Sequence, residues 1–152
     1  FGILSIVSIV LIVHGLMTAT FVPLYDPPSW GRHLAMLLML PAIYLFLSST
    51  VGPAPSAVKV ITAHPVSWAV ILWSVSHLLA NGDLAHVLLF GALGLFGIIS
   101  IVTGNMRDLQ PALKQRPALL AEAIFIAIVV VVYLALIWGH KYFTGMPIIP
   151  GS

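Results

Sequence analysis

The chain has 152 residues, of which 61% are hydrophobic and only 7% are charged, and its mean hydropathy is +1.13. Soluble domains carry about 25% charged residues, so this composition excludes a water-soluble fold and predicts a single all-α domain, residues 1–152, in lipid. The net charge of +2 comes from scattered cations without a basic face, which argues against nucleic-acid binding. Without cysteine the chain can form no disulfide and no thiolate metal site.

Apolar runs separated by turn formers and charges predict a polytopic bundle of about five transmembrane helices. The predicted spans are residues 1–22, 33–51, 65–80, 84–103 and 117–139. A span needs about 20 apolar residues to cross the hydrocarbon core. Because Phe1 already lies inside an apolar run, with no charged segment before it, we expect a further N-terminal span upstream.

The first span carries His14 and ends at Pro23, and a polar loop with interfacial aromatics leads to Arg32. The second span begins at His33 and is followed by a break at residues 52–56, rich in Gly and Pro. Both spans therefore contribute a histidine to the same end of the bundle.

The third and fourth spans form a predicted antiparallel hairpin. His64-Pro65 starts the third span, because proline is favoured in the first turn of a helix. Asn81-Gly82-Asp83 is a tight turn, in which Asn and Gly accept positive φ and Asp83 caps the next helix. Three small residues of the fourth span allow another helix, or a flat ligand, to approach closely: Gly91, Gly94 and Gly97.

The distribution of cations predicts the orientation. Four of them fall on one side of the bundle, namely Lys59, Arg107, Lys114 and Arg116, whereas Arg32 and Lys141 fall on the other. Because cytoplasmic loops are enriched in Lys and Arg, we expect the four-cation side in the cytoplasm. The C-terminus then faces outward, into the periplasm if the membrane is a bacterial inner membrane.

The six histidines are the most informative residues. Five lie toward the outer side, namely His14, His33, His77, His86 and His140, and His64 lies at the cytoplasmic face. Ionisable groups within spans usually serve a site. Those near span ends can equally bond backbone carbonyls or headgroups, but His14 and His77 lie within helices, where a neutral imidazole is also suited to be an axial ligand of haem iron.

Several motifs together resemble one family of membrane proteins. They are Ala63-His64-Pro65, Ile71-Leu72-Trp73, His77-Leu78-Leu79-Ala80-Asn81-Gly82-Asp83-Leu84-Ala85, Leu89-Phe90-Gly91, Arg32-His33-Leu34, Leu38-Met39-Leu40-Pro41-Ala42, and His140 followed by Gly145-Met146-Pro147. On these motifs the chain is similar to the NnrU family over nearly its whole length. That family is associated with nitrite and nitric oxide metabolism in denitrifying bacteria, and it includes the plant and cyanobacterial 15-cis-zeta-carotene isomerase, which binds haem b.

The resemblance implies a haem b site at His77. In the isomerase the histidine of a Trp-x-x-x-His helix is an axial ligand, and Trp73 and His77 occupy those places here. The isomerase has a cysteine three residues earlier, proposed to exchange as a ligand, where this chain has Ser74, so that exchange is in doubt. Its other axial histidine comes from an earlier helix, and members of this family usually start with one more span than this chain shows. If that helix is absent, His14 is the in-chain substitute, and His33 and His86 are weaker ones.

Two classes of function follow from these observations. The first is a haem b membrane protein, acting as a haem-dependent cis-trans isomerase on a carotenoid or other apolar ligand, or associated with nitric oxide metabolism. The second is a non-catalytic accessory or assembly subunit of a larger membrane complex. A transporter that uses Glu122 and the histidines ranks below both, because no inverted repeat is evident, and no constellation for a soluble-type hydrolase is present.

Overall fold

In a computed structural model of the chain, residues 2–50 and 56–148 are described, apart from the side chain of Phe143. These residues form six helices in chain order: α1 Gly2–Thr18, α2 Gly31–Thr50, α3 Val58–Ile61, α4 Pro65–Ala80, α5 Leu84–Asn105 and α6 Leu119–Thr144. The extended structure found among them is an isolated antiparallel bridge between Pro23 and Asp83. The predicted all-α class is confirmed for the described part of the chain.

Three of the described helices are long and apolar enough to cross a membrane: Gly31–Thr50, Leu84–Asn105 and Leu119–Tyr142. α1 and α4 are apolar but have only 17 and 16 residues. At 1.5 Å per residue they reach about 25 Å, which is short of a hydrocarbon core of about 30 Å. An integral membrane protein is therefore supported, whereas the predicted count of five spans is not confirmed.

The helix ends differ from the sequence-based bounds where tertiary contacts intervene. α1 ends at Thr18 rather than at residue 22, because the chain then extends to pair with the turn between α4 and α5. α5 continues to Asn105, and α6 begins at Leu119. Phe1, Val51 and the predicted break at residues 52–55 lie outside the described residues.

The turn between α4 and α5 is closed by residues 22–25. The amides of Leu24 and Tyr25 donate to the Gly82 carbonyl at 2.9 and 3.1 Å, and the Leu84 amide donates to Val22 O at 2.9 Å. Asp83 caps α5 as predicted, since its side chain accepts from the His86 amide at 3.3 Å.

The prediction of positive φ at Asn81 and Gly82 is wrong. Asn81 is extended, with a φ of −136°, and Gly145 is the glycine with positive φ among the described residues. Gly82 is required for a different reason, because a Cβ there would stand 1.9 Å from the Tyr25 carbonyl oxygen. The absence of a side chain lets residues 22–25 pack directly on the turn.

α2 is the central helix of the bundle, since it packs against both α4 and α6. Its contact with α6 has a small apolar core of Ile43, Phe125 and Val129. The Tyr133 hydroxyl of α6 donates to Met36 O of α2 at 2.9 Å, and Glu122 at the start of α6 accepts from Tyr44 near the end of α2. α6 therefore runs antiparallel to α2, and α4 packs on α5 as the predicted hairpin.

Of the three α5 glycines predicted to allow close approach, two lie where α5 packs on α4. A Cβ at Gly97 would come within 2.8 Å of Ile71 Cγ1, and one at Gly94 within 3.3 Å of Ser74 Cβ. These glycines let α5 approach α4 closely. At Gly91 nothing lies within 4 Å of such a Cβ, so this position opens onto a groove between the two helices.

Candidate functional site

His77 is half-buried near the end of α4, and one nitrogen of its ring already has a hydrogen-bond partner. Nδ1 lies 2.9 Å from the carbonyl oxygen of Trp73, one turn earlier on the same helix. A carbonyl only accepts, so in the neutral ring Nδ1 carries the proton and Nε2 keeps its lone pair. This is the tautomer in which a histidine ligates iron through Nε2 while its other nitrogen is held by an acceptor.

Two aromatic rings fix the orientation of the His77 imidazole. Phe90 of α5 stacks on it with a centroid distance of 4.2 Å and an interplanar angle of 19°, and Trp73 meets it edge-on at 5.4 Å. Trp73 and Phe90 also contact each other edge-to-face at 5.3 Å. Phe90 is almost fully buried, so the imidazole rests on a rigid surface.

His86 belongs to the same cluster. Its ring is nearly parallel to Phe90 at a centroid distance of 6.0 Å. Its Nδ1 is shielded from solvent and lies 2.6 Å from Asp83 Oδ2, in a close contact without the alignment of a regular hydrogen bond. The contact becomes an ion pair when the ring is protonated, and Asp83 thus joins the α5 cap to the histidine cluster.

His140, in the last turn of α6, lies at the same end of the bundle. Its Nδ1 lies 2.9 Å from Met146 O and 3.0 Å from the Thr144 hydroxyl oxygen. Gly145, with a φ of 72°, ends α6 and turns the chain back, so that the Met146 carbonyl reaches the ring.

His14 and His33, the other two histidines proposed from the sequence, stand apart from this cluster. Both are exposed, His14 on α1 and His33 in the first turn of α2. No hydrogen bond or ring contact joins either imidazole to His77 within residues 2–50 and 56–148. The sequence-based hypothesis did not include His140 among the ligands, although Thr144 four residues later and the αL-prone Gly145 were visible signals.

His64 lies at the opposite end of α4, where its ring contacts residues at the end of α5. Its Nε2 is 2.8 Å from Asn105 Oδ1 at the end of α5. A Cβ at Gly104 would come within 2.3 Å of His64 Cε1. His64 therefore joins the start of α4 to the end of α5 through a hydrogen bond.

Ser74 stands at the position where the isomerase has cysteine. It is 1% exposed, and its hydroxyl has no hydrogen-bond partner among the described residues. It lines an open groove of about 280 Å³ between α4 and α5, together with Phe90, Gly91 and Gly94. The groove is otherwise apolar and faces outward between the helices.

The histidines near the end of α4 are donors of a kind that haem would need from the protein. The described residues include no group of three or more His, Cys, Asp or Glu side chains that could hold a metal ion. Haem iron takes four nitrogens from the porphyrin and needs only one or two from the protein, and an imidazole is a common axial ligand. Within the described part of the chain, Nε2 of His77 and Nε2 of His140 have no hydrogen-bond partner, whereas both Nδ1 atoms do.

The fold and the site together define an apolar, all-helical membrane protein with a histidine and aromatic cluster at one end. A family model described as NnrU protein matches residues 1–148. The chain therefore belongs to the NnrU family, and the resemblance inferred from its motifs is confirmed. Comparison with curated proteins and with solved structures gave no match.

Proposed function

We propose that this protein binds haem b through Nε2 of His77 and is a haem-dependent membrane protein of the NnrU and zeta-carotene isomerase type. The observation that supports the proposal is the state of the His77 ring, whose Nδ1 is held by Trp73 O at 2.9 Å while Nε2 is uncommitted. The stacking of Phe90 adds to it, because an imidazole with a fixed orientation ligates with less loss of entropy.

The protein residues would orient the ligand and exclude water. Trp73 and Phe90 keep the His77 ring in one orientation and surround it with apolar surface, which disfavours charged and hydrated species nearby. Haem b would supply an iron centre able to bind an olefin or nitric oxide. An apolar substrate such as a carotenoid would enter from the lipid, for which the open groove beside Phe90 offers a route.

A reduced-minus-oxidised visible spectrum of the protein purified in mild detergent tests the proposal. We expect a b-type haem signal in the wild type and its loss in His77→Ala, because the substitution removes the proposed ligand. His64→Ala is the matched control, since it removes a half-buried histidine from the other end of the same helix. A colourless wild type, or a His77→Ala protein with the full signal, would contradict the proposal.

The isomerase branch is tested separately by pigment analysis. If the protein acts on a carotenoid, a deletion strain that makes carotenoids accumulates the cis substrate, and wild-type protein but not His77→Ala restores the product. An unchanged pigment profile together with a haem signal that responds to nitric oxide favours the association with nitric oxide metabolism instead.

A second candidate function, an accessory or assembly subunit of a larger membrane complex, draws on the placement of α1. This apolar helix has no buried residue, and its contacts within the described chain are made mainly with α6. A partner helix would cover such a surface as readily as lipid. A colourless protein that purifies with a fixed stoichiometry of one partner, lost on substitution of α1 residues, would favour this function.

A further inference from the structure

We propose that the groove between α4 and α5 binds a membrane quinone, a flat ring that carries carbonyl oxygens and an apolar tail. The ring would lie against the glycines of α5, and one of its oxygens would accept a hydrogen bond from the Ser74 hydroxyl. The site does not require haem at His77, so this inference goes beyond the proposed function and is tested separately from it.

Ser74 differs from the other buried serines of the described residues. It is 1% exposed, and its hydroxyl has no hydrogen-bond partner there. Ser48 and Ser76 each donate to a carbonyl of their own helix at 2.7 Å. Ser56 donates to the Tyr44 oxygen at 2.8 Å. A buried hydroxyl without a partner costs free energy, so among these four serines Ser74 is the one that a ligand would satisfy.

On its α5 side the groove next to Ser74 is bounded by glycine backbone. Nothing lies within 4 Å of a Cβ built at Gly91, and one built at Gly94 would lie 3.6 Å from Ser74 Oγ. The missing side chains let a flat ring approach the α5 backbone beside the hydroxyl. The groove has a volume of about 280 Å³, and its other lining residues are apolar: Ile71, Val75, Leu78, Phe90, Leu95 and Ile98.

The position of Ser74 along α4 restricts the chemistry of the ligand. It is nine residues after Pro65 and six before Ala80, about 14 and 9 Å along the helix axis. Lipid acyl chains at this depth offer no hydrogen-bonding group. A quinone dissolves among them and brings an oxygen on its ring. A serine hydroxyl can donate to the carbonyl of a quinone and accept from the hydroxyl of the reduced quinol.

The recessed position of the hydroxyl favours a ring over the backbone of a partner helix. A helix with its side chains is about 10 Å across, and the exposed side chains of Val75 and Leu95 beside the groove would hold it away. The edge of a ring is thinner. Rotation about the Cα–Cβ bond of Ser74, between staggered positions, is enough to turn its hydroxyl toward such an edge.

Titration of the purified protein with decylubiquinone in mild detergent, followed by calorimetry, tests the proposal. We expect one saturable site per chain. Ser74→Ala should weaken binding about two- to tenfold, the usual contribution of one hydrogen bond. Gly91→Leu should abolish binding, because its side chain fills the groove without meeting another atom at Cβ. Ser76→Ala is the matched control, since this buried serine of α4 bonds within its own helix, and it should bind as the wild type does.

Decylbenzene, which has the same tail on a ring without oxygens, separates the hydrogen bond from apolar burial. It should bind equally to the wild type and to Ser74→Ala. The proposal is overturned if decylubiquinone does not saturate, if Ser74→Ala weakens both ligands alike, or if a folded Gly91→Leu protein binds normally. If Gly91→Leu does not fold, the comparison of the two ligands on Ser74→Ala decides.

Two further results separate this inference from other occupants and from the proposed function. A dimer that dissociates in Gly91→Leu, with no quinone bound by the wild type, overturns the proposal in favour of a second copy of the chain in the groove. A wild type with haem but without quinone binding overturns this inference alone. Quinone binding by a colourless wild type supports it and overturns the proposed function instead.

Discussion

Tyr25 contributes more to the site than its place in an exposed loop indicates. Its hydroxyl lies against two carbonyls at the end of α4, Leu78 O and, at 2.9 Å, Asn81 O. Helix ends leave such carbonyls without intrahelical donors. Tyr25 therefore stabilises the last turn of the helix that carries His77.

Replacing this tyrosine should loosen the end of α4. We expect Tyr25→Phe to lower the free energy of unfolding by about 0.5–1.5 kcal/mol, the usual contribution of one hydrogen bond. Thermal unfolding in detergent measures it. Trp30→Phe is a suitable control, because Trp30 is exposed in the same loop and its loss should change the melting temperature little.

The contribution of Tyr25 should also depend on pH in a defined direction. Partial burial, and secondarily the negative charge of Asp83, raise the pKa of Tyr25 above its usual value of 10.0. A group with a raised pKa in the folded state contributes stability that is complete below the unfolded pKa and is lost above it. The difference in melting temperature between wild type and Tyr25→Phe should stay constant below pH 10 and shrink above it; a difference that grows there would contradict this account.

Two glycines provide a matched pair of stability tests. Gly82→Ala places a Cβ 1.9 Å from Tyr25 O, whereas Gly91→Ala meets nothing within 4 Å. Because the clash is with backbone, Gly82→Ala should cost at least the 1–3 kcal/mol typical of overpacking, and Gly91→Ala should be neutral or stabilising by up to about 1 kcal/mol. Equal melting temperatures for the two variants would contradict the contact between residues 22–25 and the turn.

For single residues, the sequence allowed contacts within one helix to be predicted, but not contacts between residues of different helices. The helical spacing of Trp73 and His77 places the ring next to a carbonyl one turn back, so a held imidazole could be predicted. The proximity of His140 depends on how α6 is aligned with α2, which no pattern of apolar residues encodes. The turn at Gly82 was likewise predicted correctly, but the positive φ expected there is absent. Gly82 is needed because Tyr25 O packs against it, a tertiary contact that the sequence does not reveal.

Among the elements, α6 is attached to the rest of the bundle by a small polar cluster at its first turn. The carboxylate of Glu122 accepts from the Tyr44 hydroxyl of α2 and from the Ala57 amide, the latter at 2.7 Å. The fully buried Ser56 donates to the Tyr44 oxygen at 2.8 Å. Glu122 thus has a structural environment, which weakens the case for a transport role.

Removing one acceptor from this cluster should destabilise the attachment of α6. In Glu122→Gln one of the two donors loses its oxygen, which leaves a shielded polar group without a partner and costs about 1–3 kcal/mol. Tyr44→Phe and the double variant complete a cycle, and residues in direct contact should show a coupling of about 0.5–3 kcal/mol. Strictly additive effects on unfolding would contradict the cluster.

The elements themselves were the most predictable part of the fold. Apolar runs bounded by Pro, Gly and charges located α2, α4, α5 and α6 within a few residues, because lipid requires continuous helical hydrogen bonding. The end of α1 was not predictable, since residues 19–22 are as apolar as the helix before them and leave it in order to pair with the α4–α5 turn.

For the whole molecule, the arrangement of helices places the histidine cluster and the C-terminal residues 145–148 at one end. The positive-inside rule assigns the opposite end, with Lys59 and Arg107, to the cytoplasm. This orientation in a bacterial inner membrane remains a prediction, and it would put the histidine cluster near the outer surface.

The absence of cysteine makes the orientation simple to test. Single substitutions Ser29→Cys and Lys114→Cys lie in loops on opposite sides, and both positions are exposed. A membrane-impermeant maleimide should label the first in intact spheroplasts and the second only in inverted vesicles. The reverse pattern would place the histidine cluster in the cytoplasm, and labelling of both from one side would contradict the arrangement of the helices.

The proposed function depends on the ring of His77, which Trp73 and Phe90 hold in one orientation. The most direct measurement is the haem content per chain, determined after denaturing extraction from purified wild type, His77→Ala and the control His64→Ala. We expect close to one haem b per chain in the wild type and the control, and almost none in His77→Ala. A wild type without haem, or a His77→Ala protein that retains it, would contradict the claim.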